Sequence, residues 1–369
     1  MSEPGIDHGD LRDALQQLLD AGNAPRALLA EGRAGGAADL ALWARMAELG
    51  WFGIGIDEDH GGLGLGLREM AILYEELGRS LRPLPVLETM LAASALTMGG
   101  SGDQYARWLP GIAAGDLKAA TVLPVGERPE LTFGEGGRLT GTVVDVPFAD
   151  VADILLVPVC TANGQRAFAV LEPTKPGLSI DPQPILDLTR TFARLTLDDV
   201  TVADDRLVFL DDAQWDALLD HANLALACDA VGGIDHVLSM TVEYLKVREQ
   251  FGRPLGSFQA LKHRCANWKV LQEAVTALAG SAVDMIAGGE VSAAEKAASA
   301  KYYANDVYAA VAGDAIQLHG GIGFTWEHAC HLFLKRAKLN QVLFGGSSRN
   351  RDKVARLAFG AARKEVANG

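Results

Sequence analysis

Apolar residues first recur along this chain at helical spacing. LRDALQQLLD and LALWARMAELGW place leucine, alanine and methionine three or four positions apart, and LREMAILYEELGRSL does the same after the glycine-rich stretch IDEDHGGLGLG. Residues 9–119 are therefore predicted to be helical. Near residue 118 the period changes. KAATVLPV, RLTGTVVDVPF, ADILLVPVC, RAFAVLE and FARLTLDDVTV are short runs rich in β-branched residues, bounded by Gly, Pro and Asp. They predict an antiparallel β-domain. From about residue 212 the helical period returns and stays. A long pattern carrying a Gly-Gly pair is followed by three more apolar-striped segments with short breaks, which predicts a four-helix bundle. The chain thus reads as mainly α with a middle β-domain, divided into 1–118, 119–212 and 213–369. No internal repeat or low-complexity linker interrupts it.

Composition narrows the function. A chain of 369 residues is long enough for two or three domains with ample core. Its formal net charge of −14 argues against a general nucleic-acid binder. No uninterrupted apolar run predicts a membrane span, and the opening MSEPGIDHGDLRDALQQ lacks a signal-peptide layout. Cys160, Cys228, Cys265 and Cys330 have no paired spacing, which points to a reducing, cytoplasmic setting and away from a zinc site. GGLGLG at 61–66 lacks the spacing of a dinucleotide loop and follows no strand, so it reads as a connection between helices.

Two stretches carry candidate chemistry. YLKVREQFGRPLGSFQ at 244–259 sets Arg248 three residues before Phe251, ahead of a Gly-x-Pro break at Gly252 and Pro254. A guanidinium beside an aromatic ring suits a phosphate next to a flat group. QLHGGIGF at 317–324 ends a helix on Gly320, Gly321 and Gly323, where a ligand could approach the backbone closely. Either stretch alone also fits a surface ion or a helix cap.

Together, in this order and at this separation, the two stretches resemble the flavin-contacting C-terminal half of the acyl-CoA dehydrogenases. LGW at 49–51, GGLG at 61–64 and EELGR at 75–79 resemble that family's N-terminal helices. The family usually has Pro-Glu before the Gly-Gly, where this chain has Asp59 and His60. The resemblance implies N-terminal helices, a β-barrel-like middle domain and a C-terminal four-helix bundle. A parallel sheet would count against it. It also implies oxidation of an acyl-CoA between its α and β carbons, with a carboxylate as base and FAD as cofactor. The implied FAD contacts are Arg248, Phe251, Gln259, Gln317, Leu318, Gly320 and Gly321.

Other family parts are missing. The flavin-ring loop falls on Val122, Leu123, Pro124, Val125, Gly126 and Glu127, without the family's Thr-Glu or Ala-Gly-Ser-Asp, and the following segment VDVPFADVADILLV has no tryptophan. The two positions that supply the base in the family carry Phe344 and Ala222. Of the Asp-x-x-Arg that grips CoA, Asp220 remains and Asn223 replaces the arginine. In the family the C-terminal residues grip the ADP half of the neighbouring subunit's FAD. The pattern therefore resembles the incomplete subunit of bacterial α2β2 acyl-CoA dehydrogenases that act on bulky thioesters such as steroid side chains. A homologous catalytic chain would be the partner, and the acyl-CoA would occupy the partner's site. The small residues of SAAEKAASAKYYANDVYAAVAG mark the bundle as the oligomer core. Two alternatives remain: a complete homotetramer with an unrecognised base, His319 or Glu327 being candidates, and a non-enzymatic scaffold on the same fold. A flavin monooxygenase-like relative is disfavoured by the degenerate ring loop. Glu243 and Glu249 read as solvated helix positions.

Overall fold

The structure, a computed structural model, describes residues 7–20, 29, 37–124 and 131–368. Residues 1–6 of the polar N-terminal stretch, and Val125, Gly126 and Glu127 of the expected ring loop, lie outside the described residues. The fold forms two compact units that are discontinuous in sequence. One draws on 1–33, 67–82 and 223–369, and the other on 34–66 and 83–222.

In the second unit, helix α2 (Leu40–Glu48) is opened by Asp39, whose carboxylate accepts the Leu42 amide at 3.0 Å. Trp43 on this helix stacks on Phe52 at 3.9 Å and donates its indole N–H to the Gly115 carbonyl at 2.8 Å. Helices α4 (Val86–Gly99) and α5 (Gly102–Ala113) follow. A reciprocal capping box between Ser101 and Gln104 starts the latter. Residues 61–66 connect helices, as their spacing predicts.

The strands are β1 (Ala119–Thr121), β2 (Leu131–Phe133), β3 (Arg138–Pro147), β4 (Ile154–Thr161), β5 (Arg166–Leu171), β6 (Leu178–Gln183), β7 (Phe192–Thr201) and β8 (Leu207–Phe209). They form one sheet in the order β3-β7-β6 and a second in the order β1-β4-β5-β8, with β2 also on β4. Leu139, Val143, Leu195 and Leu197 from the first sheet share an apolar core with Leu155, Val157, Ala167 and Ala169 from the second. The described sheets form no closed barrel, and one expectation needs correction: the domain is not wholly antiparallel. Strands β1 and β2 both pair parallel to β4, at Ala119↔Ile154 and Leu131↔Val159. These pairs lie in tandem along one edge of β4, so both three-residue strands run in its direction. The remaining pairs, including β3 with β7 and β4 with β5, are antiparallel.

In the first unit, α1 (His8–Asp20) and α3 (Leu67–Ser80) accompany the C-terminal helices. Arg12 bridges Glu75 at 2.6 Å and Glu76 at 2.7 Å. The long helix α6 (Asp212–Val247) carries the predicted Gly-Gly pair, and its residues from Asn223 onward belong to this unit. A Cβ on Gly232 would sit 1.8 Å from the Glu75 carbonyl oxygen, and one on Gly233 would sit 2.3 Å from the Tyr308 ring. The pair therefore brings two helix backbones together on one side and admits an aromatic ring on the other.

The bundle continues with α7 (Gln259–Ala287), α8 (Ala293–His319), α9 (Cys330–Val342) and α10 (Ser347–Asn368). Sequence periodicity anticipated four helices, and α10 is a fifth. Helix α8 packs against α7, α9 and α10, and its buried residues include Ala297, Ala300, Ala304, Val311 and Ala315. Its small residues therefore serve packing within the chain, not chiefly an outer face.

Helices α6 and α7 are long and apolar enough to cross a membrane by length and composition. The most apolar window of α6 is 72% buried within the fold, whereas that of α7 is only 28% buried. Helix α7 leaves apolar surface open, including Val270 at 68% exposure.

Candidate functional site

The structure brings the two candidate stretches together. Helix α6 ends one residue before Arg248, whose amide still donates to the Tyr244 carbonyl at 2.9 Å. A two-stranded hairpin follows, pairing β9 (Glu249–Gln250) with β10 (Arg253–Pro254). Its tip is Phe251 and Gly252, at φ 56° and 74°. Two consecutive positive φ values are the mark of a type I′ turn, which glycine enters freely and phenylalanine enters under strain. The tyrosine just inside the helix end joins this hairpin to the second stretch. Tyr244 stacks on His319 at 4.4 Å, and its hydroxyl donates to the His319 carbonyl at 3.3 Å.

Helix α8 ends at His319. The glycine that follows, Gly320, adopts φ 65° and ψ −146°, a conformation open essentially only to glycine. A Cβ built on Gly320 or Gly321 would meet no atom within 4 Å. The side of the turn lined by these residues is therefore open. Gln317 is exposed beside it, and Leu318 is buried in the core. Gln259 is the exposed first residue of α7, whose N-cap, Phe258, offers no side-chain acceptor.

The arginine–aromatic partnership differs from the sequence expectation. Phe251 is 90% exposed and meets Phe258 edge-on at 6.2 Å. The guanidinium stacked on an aromatic ring belongs to Arg253, 4.1 Å from the centre of Phe258. Arg248 is exposed, and its side chain makes no hydrogen bond or ion pair to any described residue. Sequence inspection passed over both Arg253 and Tyr244. The i, i+5 spacing of Arg253 and Phe258 across a turn could have pointed to the first of these.

At Phe344 and Ala222, the two positions where the resemblance leads one to expect the base, neither side chain can accept a proton. Phe344 is buried at φ 54°, and the following Gly345 has φ 99°. The turn is held from below by Lys301, which is fully buried and whose ammonium donates to the carbonyls of Gly345 and of Gln341, the latter at 3.2 Å. Desolvation lowers the Lys301 pKa to about 8, with Asp306 acting in the opposite direction. Asp306 also accepts hydrogen bonds from Gln341, Ser347 and Arg351 at 2.7–2.8 Å. A lone lysine in the run AASAKYY was the sequence signal for this support.

Ala222 is fully buried. The neighbouring His221 exchanges a hydrogen bond between its Nδ1 and Ser94 Oγ at 3.1 Å, and desolvation depresses its pKa to about 4. Asp220 and Asn223 are also buried, and the Asn223 side-chain oxygen has no hydrogen-bond partner among the described residues. Of the other carboxylates considered, Glu243 pairs with Lys246 at 2.5 Å, while Glu249 and Glu327 are exposed. His319 is 3% exposed and held by the Ala315 carbonyl at 2.8 Å.

The buried histidines give a pH prediction. His221 and His236 both titrate near 4 in the fold, below the ordinary 6.5, because burial disfavours the imidazolium; for His236 the Arg79 charge adds to this. Between these two values the unfolded chain binds protons that the native chain does not. Stability is therefore full above pH 6.5 and falls as the pH drops toward 4. Urea unfolding at pH 7.5 and pH 5.0 should give a lower midpoint at pH 5.0, and His236→Gln should reduce the difference without abolishing it, because His221 and His331 keep their depressed pKa values. Equal midpoints in the unaltered chain would refute it.

Comparison with known proteins agrees with this geometry. The family model for the acyl-CoA dehydrogenase N-terminal domain matches residues 6–116, and that for the C-terminal domain matches 213–359. The chain is 32% identical to the acyl-CoA dehydrogenase IpdE2 of Mycolicibacterium smegmatis, over 91% of this chain and 93% of the relative. It superposes on a chain of the ChsE4–ChsE5 complex from Mycobacterium tuberculosis with TM-score 0.86 and 28% identity, covering 96% and 98% of the two chains. A variant of the Tcur3481–Tcur3483 steroid ACAD gives TM-score 0.85 and 31% identity over the same shares. The short parallel pairs on β4 therefore do not exclude the family, and the criterion of a wholly antiparallel sheet was too strict. Through its N- and C-terminal domains, its fold and its similarity over nine-tenths of its length, the chain belongs to the acyl-CoA dehydrogenase family of oxidoreductases.

Proposed function

We propose that this chain is the partner-dependent subunit of an FAD-dependent acyl-CoA dehydrogenase and contributes contacts to the ADP half of an FAD whose flavin ring lies in a homologous catalytic chain. One contrast carries this reading. Arg248, Gln259, Gln317, Gly320 and Gly321 are all exposed, on two stretches joined through Tyr244 and His319, while the positions matched to the family's base hold the buried, non-titrating side chains of Phe344 and Ala222. The surface fits a dinucleotide in two respects: the Arg248 guanidinium has no partner among the described residues, and the Gly320–Gly321 turn leaves room on its open side. When bound, FAD supplies the hydride-accepting chemistry of the family. Arg248 offers a planar fork to a pyrophosphate, Gln259 and Gln317 offer amides beside it, and Phe251 offers an exposed ring near the adenosine half. Leu318, buried, holds the turn in place.

A homologous partner fits the chain's relatives, two of which are solved as, or named for, pairs of chains. The steroid wording of one such title supports a bulky, steroid-side-chain thioester as the substrate of the complex, bound at the partner's site. The open apolar face of α7 is the surface we assign to bundle–bundle association in a dimer of dimers. Segments 1–118, 119–212 and 213–369 are taken as the functional divisions of the chain, and the cytoplasm as its compartment, in line with four free cysteines.

The test is flavin content. Purified alone, the chain should carry far less than one FAD per chain; co-expressed with its homologous catalytic chain, it should co-purify with flavin in a mixed tetramer. A stoichiometric flavin spectrum from the chain alone would favour the complete homotetramer instead. Failure of every homologous chain to restore flavin would favour a scaffold.

A carboxylate at position 344 should not by itself create an enzyme. Phe344→Glu supplies a proton acceptor, but the flavin-ring sequence and the CoA-gripping arginine remain absent. We expect no acyl-CoA oxidation by this variant without a partner. Turnover above that of the unaltered chain would contradict the assignment.

A further inference from the structure

Tyr244, partly buried near the end of α6, holds both candidate stretches, one through its backbone and the other through its side chain. Its carbonyl accepts the Arg248 amide at 2.9 Å, and the Arg248 carbonyl in turn accepts the Leu255 amide at 2.8 Å across the hairpin. Arg248 is thus fixed at both backbone groups while its side chain stays exposed.

The side chain of Tyr244 reaches the second stretch. Its ring stacks on His319 with centroids 4.4 Å apart and planes inclined by 29°, and its hydroxyl donates to the His319 carbonyl at 3.3 Å. The His319 ring has its own support, since Nδ1 donates to the Ala315 carbonyl at 2.8 Å, one turn back in α8. Tyr244 therefore stacks on a ring that cannot swing freely.

The carbonyl that Tyr244 holds belongs to the peptide entering Gly320. That peptide is planar, so its carbonyl and its N–H turn together. The Gly320 N–H donates to the Gln317 carbonyl. Both polar groups of the His319–Gly320 peptide are thus held, immediately before the turn whose open side is formed by Gly320 and Gly321. A Gly-Gly turn has wide conformational freedom of its own, and a ligand that had to order it would lose affinity to that entropy. The Tyr244 hydroxyl supplies a hold on this turn from outside α8.

We propose that Tyr244 is a positioning residue: it sets the Gly320–Gly321 turn at a fixed place relative to Arg248, so that guanidinium and turn meet one diphosphate together. Its use to a ligand rests on the FAD reading of this surface; the coupling of the two stretches does not. Two contacts aligned by one residue spare the ligand the cost of ordering them, and supporting residues of this kind decide whether a site is precise or loose.

Tyr244→Phe keeps the ring and removes only the hydroxyl. In the chain alone, amide hydrogen exchange at residues 320–323 should quicken roughly two- to tenfold, the equivalent of one ordinary hydrogen bond, with the unfolding midpoint unchanged. In the complex with the homologous catalytic chain, FAD affinity should fall by a similar factor at normal tetramer yield. Tyr244→Leu, which also removes the ring, should lose more, so that phenylalanine recovers part of the affinity. In an Arg248→Ala background Tyr244→Phe should cost less than it does alone, because one of the two contacts it aligns is gone. Unchanged exchange at residues 320–323 in Tyr244→Phe overturns the proposal. So does a flavin loss fully matched by a lowered unfolding midpoint, which would make Tyr244 a packing residue only. Flavin lost in Arg248→Ala but fully kept in Tyr244→Phe also overturns it and leaves the cofactor assignment standing. Flavin kept in both variants, with faster exchange in Tyr244→Phe, removes the cofactor assignment and supports the coupling.

Discussion

Replacing Arg336 with alanine is expected to remove about 3–5 kcal/mol of folding stability, the cost of leaving a buried charge without its partner. Arg336 on α9 and Asp229 on α6 form an ion pair in which each side chain is only 6% exposed. Two nitrogens of the guanidinium reach the carboxylate, Nη2 at 2.6 Å and Nε at 3.2 Å, and Asn340 donates to its other oxygen at 2.5 Å. Forming the pair requires dehydrating both ions, so its net contribution is small beside the cost of breaking it. Removing one partner exposes that cost, because Asp229 is then left buried without its cation. Chemical denaturation followed by far-ultraviolet circular dichroism measures it. Lys246→Ala, which breaks the exposed pair with Glu243, is the control and should cost under about 1 kcal/mol. A loss for Arg336→Ala no larger than the control's would show that solvent reaches Asp229 freely.

Much of the fold was legible because helical and strand periods differ. The change of period near 118 corresponds to β1 starting at Ala119, and the return of helical period corresponds to α6 starting at Asp212. The parallel pairs on β4 were not legible, because a three-residue strand has the same local pattern whichever direction its neighbour runs. Helix α10 was missed because its sequence, SSRNRDKVARLAFGAARKEVAN, is rich in charge and low in overall hydrophobicity. The small residues of α8 pointed to close packing, but composition cannot distinguish packing within a chain from packing between chains.

For the candidate site, sequence order located both stretches but not their connection. Tyr244 and His319 are 75 residues apart, and only the fold stacks them. The aromatic partner of an arginine was sought three residues away, at Phe251, whereas the hairpin directs Phe251 outward and places Arg253 on Phe258.

Arg248→Ala should reduce FAD affinity in the assembled complex by roughly ten- to a hundredfold, the equivalent of losing a charge-assisted hydrogen bond worth about 1.5–3 kcal/mol. The side chain leaves the helix end at the start of a short hairpin, is exposed, and is unmatched by any carboxylate among the described residues. Nothing within the described chain therefore needs this guanidinium for folding, and its replacement should leave the unfolding midpoint nearly unchanged. A pyrophosphate would give it a partner, and the planar fork offers two parallel donors where lysine offers a single point of charge. Arg248→Lys should therefore recover only part of the affinity. Assembly should persist in both variants, because association is assigned to the open face of α7 and not to the hairpin. The measurement is flavin occupancy and tetramer yield after co-expression with the homologous catalytic chain. Reduced flavin with normal tetramer yield supports the contact. Full FAD retention in Arg248→Ala would make the hairpin arginine an ordinary surface ion, and a loss of tetramer along with flavin would place it at the subunit interface instead.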